Sequence, residues 1–349
     1  MIFNRRSATL TLQMFTRNTP LSHWLVLAAT PIVLALAVSC GGGGESDEAR
    51  AAPVTAIPAL ATAPTTAIPA SAATPLPEAP GTWVYWLSDV DLQAISTARP
   101  PVTVIDYSQD GGPEGEFSDT EIQQLRSALP DPGLVIAYMS IGEAEDYRYY
   151  WQDGWKPGDP DWLDSVNPNW EGNFKVRYWD PEWQSIVFGS EQAYLDRILA
   201  AGFDGVYLDI IDAYEFFIER GHETAQAEIV EFVTAIGEYA RQQHPGFLVI
   251  PQNAPELALR SDYLAAVDGI GMEGVYFGYD EQDAPTMDSI TTDLEYILGV
   301  WINAGKLVLT VDYATSPDKV RNAYKRAASR GFTPTVTDVD LAGLPSPAP

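Results

Sequence analysis

From Gly81 onward the chain alternates between short apolar, β-branched or aromatic runs and longer amphipathic stretches. The apolar runs begin near Trp83, Val102, Leu134, Val206, Phe247, Ile270, Leu307 and Phe332. Between most of them, apolar residues recur every three or four positions, the period of a helix with one buried face. Ile229, Val233, Ile236 and Ala240 share one such face; Val187, Tyr194, Leu195 and Ile198 share another. Helix stops stand before three of the strands, at Ala201-Gly202, Ala304-Gly305 and Arg330-Gly331. Strand–helix alternation implies a parallel sheet with helical crossovers. Eight runs in roughly 250 residues is the count of a single (β/α)8 TIM barrel of the α/β class. A doubly wound open sheet is the alternative that the same pattern allows.

Before Gly81 the pattern is different. Arg5, Arg6 and Arg17 precede an apolar run from Trp24 to Val38, and the run ends at Ser39-Cys40. A basic segment, a short apolar core and a small residue before the cut are the features of a secretory signal. The run is about 15 residues, short of the roughly 20 that span a bilayer. Ala37-Val38-Ser39-Cys40 resembles a bacterial lipobox, although a leucine three residues before the cysteine is usual there; Met14 is a second possible start. Cys40, the only cysteine, is therefore the expected lipidation site, the alternative being an incidental cysteine in a removed signal peptide. A single cysteine permits no internal disulfide and no cysteine-based zinc site. Residues 41 to 80 are Gly, Ala, Pro and Thr with almost no aromatic residues, a composition expected to stay disordered and to act as a spacer. The expected organisation is a lipoprotein signal over 1–40, a linker over 41–80, the barrel over 81–338 and a disordered tail over 339–349. The expected location is extracytoplasmic, lipid-anchored at a bacterial membrane or cell surface.

Charge narrows the partners. The chain carries 20 basic and 48 acidic residues, a formal net charge of −28. Four of each lie before residue 81, so the barrel segment carries the whole imbalance. Nucleic acid is not expected to bind such a surface, whereas a cationic substrate would be drawn to it; an acidic surface also aids solubility. Gly269-Ile-Gly271-Met-Glu273-Gly274 matches the dinucleotide-binding glycine pattern by letter, but it overlaps a strand instead of opening a helix. Beyond residue 80 only His222 and His244 remain, neither at a strand end, so no histidine triad, metal site or cofactor is expected.

Carboxylates collect where a barrel does its chemistry, at the C-terminal ends of the strands. Asp106 ends the second strand, and Glu143 and Glu145 follow the third. Asp209 ends the fourth, with Asp212 just beyond; Gln252 and Asn253 follow the fifth; Glu273 ends the sixth, Asp312 the seventh, and Asp338 follows the eighth. Like charges gathered at one rim repel and lose hydration, which structure alone does not favour. Asp212 and Glu215 also have the spacing of a helix capping box. Two opposed carboxylates are what glycosidic cleavage requires: one protonates the leaving oxygen while the other attacks the anomeric carbon or activates water. Six of the ten tryptophans lie between Trp151 and Trp183, in a Gly- and Pro-containing segment expected to be irregular. Most are expected to build a small core there, with one or two facing the cleft, because flat rings cover the apolar faces of sugars.

Three stretches carry a family resemblance: Ile141-Gly-Glu-Ala-Glu-Asp-Tyr-Arg148, Val176-Arg-Tyr-Trp-Asp-Pro-Glu-Trp183 and Gly202-Phe-Asp-Gly-Val-Tyr-Leu-Asp209. Together they resemble glycoside hydrolase family 114, the endo-α-1,4-polygalactosaminidase-like barrels, over nearly all of residues 81 to 338. The resemblance implies hydrolysis of internal α-1,4 bonds in a galactosamine-containing polysaccharide. It implies Asp209 as nucleophile and Glu273 as acid/base. It also places Asp106, Glu143, Glu145, Arg148 and Asn253 along the cleft as substrate-binding candidates, to which Asp212 is added from its position. Cleavage of another glycan, or glycan binding without cleavage by a surface lipoprotein, are the readings set against this one.

Overall fold

The computed structural model describes residues 81–131 and 133–348; the signal, the lipidation candidate Cys40 and the linker lie outside them. All eight expected strands form: β1 (Val84–Trp86), β2 (Val102–Asp106), β3 (Leu134–Ser140), β7 (Gly205–Asp209), β8 (Leu248–Pro251), β9 (Gly269–Glu273), β10 (Leu307–Tyr313) and β11 (Thr333–Thr337). They are parallel, in two arcs of order β1-β2-β3-β7-β8 and β9-β10-β11. A parallel bridge between Gln252 and Gly271 joins the arcs. This is the (β/α)8 barrel that the strand–helix alternation predicts.

The helices also follow the sequence pattern: α1 (Leu92–Ala98), α2 (Asp119–Ala128), α3 (Pro181–Val187), α4 (Tyr194–Ala200), α5 (Ala213–Ile218), α6 (Ala225–Gln243), α7 (Ser261–Ala266), α8 (Asp288–Asn303) and α9 (Pro317–Ser329). Ile229, Val233, Ile236 and Ala240 bury one face of α6 as their spacing requires. The expected face of Val187, Tyr194, Leu195 and Ile198 is divided between two helices, because the chain turns at Gly189 with φ 108°. A capping box starts α2, where the Ser118 hydroxyl accepts from the Glu121 amide and the Glu121 carboxylate accepts from the Ser118 amide.

Two departures matter for the site. The segment expected to be an irregular loop after β3 contains a small antiparallel sheet of β4 (Glu143–Glu145), β5 (Leu163–Val166) and β6 (Asn173–Val176), in the order β4-β6-β5. Its aromatic residues form the expected small core: Trp151, Trp155, Trp162 and Trp183 touch in succession, with ring centroids 5.3, 4.9 and 5.0 Å apart. The tail expected to be disordered is tied down instead. The Leu341 carbonyl accepts from the Leu87 and Ser88 amides, and the Ser346 amide donates to the Val336 carbonyl. The tail thus bonds both to β11 and to the segment following β1, and the backbone groups there find partners.

Strand alternation sorts the interior into two cores. Trp83, Tyr85, Val102, Val104, Leu134, Ile136, Tyr138, Tyr207, Leu248, Ile250, Leu307, Leu309, Val311 and Tyr313 fill the barrel. Val84, Ile105, Val135, Ala137, Val206, Leu208, Val249, Ile270 and Val308 pack outward into the helical layer. On β9 the inward positions Gly269 and Gly271 bear no side chain. A Cβ at Gly271 would lie 1.8 Å from the Tyr207 hydroxyl oxygen, so the missing side chain is the space into which Tyr207 fits. Gly271→Ala is expected to destabilise the protein by about 1–3 kcal/mol or more through overpacking, read as a lower midpoint in chemical denaturation.

Candidate active site

The same alternation aims the functional groups. On β7 Val206 and Leu208 face the helices and Tyr207 faces the barrel, so Asp209 projects inward at the C-terminal mouth. On β9 Ile270 faces outward while Gly271 opposes Tyr207, which puts Glu273 on the inward side at the same end. Only β8 separates the two strands in the barrel. Four tyrosines whose hydroxyls feel these carboxylates, Tyr85, Tyr138, Tyr207 and Tyr313, wall the mouth from below and from the sides.

Asp209 accepts the Tyr138 hydroxyl at 2.6 Å on one oxygen and the Ile210 amide at 2.7 Å on the other. Tyr138 lies on the neighbouring strand, whose Ser140 pairs with Asp209 across the ladder. The backbone turns sharply beyond Asp209: Ile210 has φ 60°, left-handed and unfavourable for a β-branched residue. Gly142 accommodates that turn, since a Cβ there would stand 2.2 Å from the Ile210 carbonyl oxygen. Burial pushes the Asp209 carboxyl up to about 8, reinforced by the negative charge of Glu273 and, more weakly, of Asp212. The hydrogen bonds from Tyr138 and Ile210 oppose the rise without cancelling it.

Glu273 is held on both oxygens as well. Asn253 donates its side-chain amide at 2.9 Å to one, and the Tyr313 hydroxyl donates to the other. Asn253 and Ala254 have φ 62° and 48°, two consecutive left-handed residues without glycine, and the Asn253 amide anchors the turn on the Gly271 carbonyl at 2.8 Å. Backbone strain thus sits directly beside each carboxylate. Such strain costs about 1–3 kcal/mol per residue and persists only where surrounding contacts enforce it.

A second acidic group is linked to Asp209 through Tyr138. Arg148 binds Asp106 with two parallel bonds of 2.8 Å and Glu145 with one of 2.6 Å, and its side chain is 0% exposed. The Tyr147 hydroxyl donates to the other Glu145 oxygen at 2.5 Å. The Tyr138 phenol feels the charges of both Asp209 and Glu145, so it links the two groups. Two carboxylates on one guanidinium leave a net negative charge here. Glu143 stands apart. It is fully buried and accepts from Asn167 at 2.9 and 3.1 Å, Asn173 at 3.3 Å and Lys175 at 2.9 Å, bonds that hold the inserted sheet together. Asp212 stands at the N-cap of α5 without a side-chain capping bond, so the box expected with Glu215 does not form; its charge instead raises the pKa of Asp209.

Two other rim carboxylates do not reach the mouth. Asp312 has the outward parity of β10. It is buried behind the barrel, where it accepts the Tyr276 and Phe277 amides at 2.6 and 2.8 Å and is pushed up by burial to about 7. The inward residue at that strand end is Tyr313. Asp338 is exposed. Tyr138 and Tyr313, which donate to the two candidate carboxylates, are positions that a search for carboxylates passes over. Their signal is the two-residue period, which puts Tyr313 in phase with Leu307, Leu309 and Val311. Among the described residues, no group of three or more His, Cys, Asp or Glu side chains is placed to hold a metal ion.

The raised Asp209 carboxyl has a consequence for stability. Below about pH 4 the group is protonated in folded and unfolded chains alike. Between there and about pH 8 the folded state retains a proton that the unfolded state has released, so stability falls as pH rises through this window. Asp209→Asn keeps an oxygen for the Ile210 amide but removes the charge. Its thermal midpoint is expected to gain on wild type steadily between pH 4 and pH 8; an offset independent of pH would contradict this account.

A family model described as glycoside-hydrolase family GH114 matches residues 62–346. Three similar proteins are uncharacterised proteins. One from Deinococcus radiodurans is 41% identical over 254 residues, 72% of this chain and 78% of its own. One from Methanocaldococcus jannaschii is 37% identical over 272 residues, 74% and 75% of the two chains. One from Thermotoga maritima is 35% identical over 273 residues, 74% and 81% of the two chains. In fold, the protein is similar to the glycoside hydrolase domain of PelA from Pseudomonas aeruginosa, with a TM-score of 0.60, 16% identity and coverage of 77% of this chain and 98% of that one. With a family match that spans the whole barrel, the chain belongs to glycoside-hydrolase family GH114.

Proposed function

We propose that the protein hydrolyses internal α-1,4 bonds in a galactosamine-containing polysaccharide, outside the cytoplasm, with Asp209 and Glu273 as its two working carboxylates. The observation that carries the reading is the pairing itself. Two carboxylates project from strands separated by one other at the barrel mouth, electrostatically coupled, each held on both oxygens by donors. Such a pair suits the division of labour in glycosidic cleavage, where one group acts on the leaving oxygen and the other on the anomeric carbon. In the proposed sequence Glu273 protonates the leaving oxygen while Asp209 attacks the anomeric carbon. Glu273 then takes a proton from the water that releases the sugar.

The charge pattern supports a cationic substrate. Asp209 must be ionised to attack, yet burial and the charge of Glu273 raise its carboxyl to about 8. An ammonium group on a bound amino sugar would lower it and so activate the nucleophile as the substrate arrives. The Asp106–Arg148–Glu145 group, linked to Asp209 through Tyr138 and with one more negative than positive charge, adds to the field that would draw in that ammonium. An acetylated sugar supplies no such charge.

The test is incubation of purified protein, wild type and Glu273→Gln, with partly deacetylated α-1,4-galactosaminogalactan, followed by mass spectrometry. Oligosaccharides are expected from wild type only, and Asp209→Asn is expected to lose cleavage while keeping its fold. Absence of oligosaccharides with wild type would count against this substrate and favour another glycan or a binding role. The proposed location rests on the signal-like N-terminal segment and Cys40. Cys40→Ala is expected to move the protein from the membrane fraction to the soluble one; a membrane-bound variant would refute the lipid anchor.

A further inference from the structure

The tryptophan-rich segment contains one ring that its small core does not use. Trp151, Trp155, Trp162, Trp179 and Trp183 each pack against another aromatic ring. Trp170 makes no ring contact among the described residues and is 41% exposed. It lies in the turn joining β5 to β6, an otherwise polar sequence of Asn167-Pro-Asn-Trp-Glu-Gly172. Packing of the segment does not account for a large apolar ring there.

The turn is rigidly built for a surface loop. The buried Glu143 carboxylate binds Asn167 at its start, Asn173 at its end and Lys175 beyond. The Asn167 side chain accepts the Asn169 amide at 3.0 Å, and the Asn173 amide donates to the Trp170 carbonyl at 3.2 Å. Burying an ionised carboxylate is expensive unless it is paired and fully hydrogen-bonded. In this case the arrangement fixes the backbone that displays Trp170. A ring held in place loses less entropy on binding than one on a mobile loop.

The display is on the catalytic rim. Asn173 pairs with Glu145 across the ladder, and the Asp146 amide donates to the Gly172 carbonyl at 2.9 Å. Glu145 belongs to the acidic group that Tyr138 links to Asp209. Two residues along, Tyr147 is also exposed, at 48%. Beside the turn, burial and the charge of Glu171 raise the Asp146 carboxyl above its ordinary value. A rigid exposed indole, continuous with a carboxylate-lined mouth and flanked by further carboxylates, matches a pyranose ring with an apolar face and a positive substituent.

We infer that Trp170 is the stacking platform of an outer subsite, which takes an amine-bearing sugar of the glycan chain away from the bond being cut. The inference rests on the glycan-hydrolase reading above. It deepens that reading by assigning Glu143 a role through the turn: holding the platform, not touching the sugar.

The test is affinity electrophoresis of the full chain in gels containing partly deacetylated galactosaminogalactan, on the Glu273→Gln background so that the polymer stays intact. Trp170→Ala on that background is expected to weaken retardation by about tenfold, near 1.4 kcal/mol. Trp170→Phe should keep most of it, and circular dichroism should report an unchanged fold for both. Equal retardation with Trp170→Ala overturns the subsite, as does no retardation of Glu273→Gln itself. The cleavage reading fails separately: wild type would release no oligosaccharides even where retardation depends on Trp170.

Discussion

The charge of Glu273 beside the desolvated carboxyl of Asp209 is the constraint to which the rest of the barrel mouth responds. Burial and the charge of Glu273 together lift Asp209 to about 8. Every feature around the pair either compensates or exploits this. Tyr138 and Ile210 donate to Asp209, and Asn253 and Tyr313 to Glu273, so each carboxylate oxygen has a fixed donor in place of water. Those donors are rigid because they stand on adjacent strands or on turns locked in left-handed geometry. The unusual backbone at Ile210 and at Asn253-Ala254 thereby lies beside the two carboxylates it helps to hold.

The small sheet after β3 extends the same logic outward. It brings Glu145 and Arg148 against Asp106, an acidic group that Tyr138 links to Asp209. It spends Glu143 internally, as the buried fastener of its own turn. Two glutamates separated by one residue on a three-residue strand therefore do different work: one is satisfied by asparagines and a lysine inside the insertion, the other by the guanidinium and a tyrosine beside the mouth. Asp312 shows the counterpart on the far side, a carboxylate turned away from the mouth that secures the turn following Glu273.

Much of this was legible beforehand. Eight apolar runs with helical spacers define the barrel, and the ends of the fourth and sixth runs locate Asp209 and Glu273 in elements where the structure has them. The count of tryptophans after the third strand points to a local core; four of the six build it, Trp179 packs on Phe217 and His222 instead, and Trp170 makes no ring contact among the described residues. What did not follow was the fate of individual acids. Position at a strand end does not give phase, so Asp312 counts among the expected rim acids although its neighbour Tyr313 is the residue that faces the mouth. The final segment is expected to be disordered, yet bonds from Leu87, Ser88 and Tyr324 give it a place.

The division has a physical cause. Helix and strand formation depend on periodicities a few residues long, which sequence carries in full, and the acidity of the chain is a sum over residues. By themselves these determined a barrel of parallel strands, an acidic surface and a ring of carboxylates at strand ends. Whether a given carboxylate is a buried fastener or faces the mouth depends on partners 20 to 40 positions away, as with Glu143 and Lys175 or Glu273 and Tyr313. In a barrel both faces of each strand are buried, so the two-residue alternation of polarity that would reveal orientation is blurred. Only the closed tertiary structure, with its register and its inserted sheet, decided which acids meet.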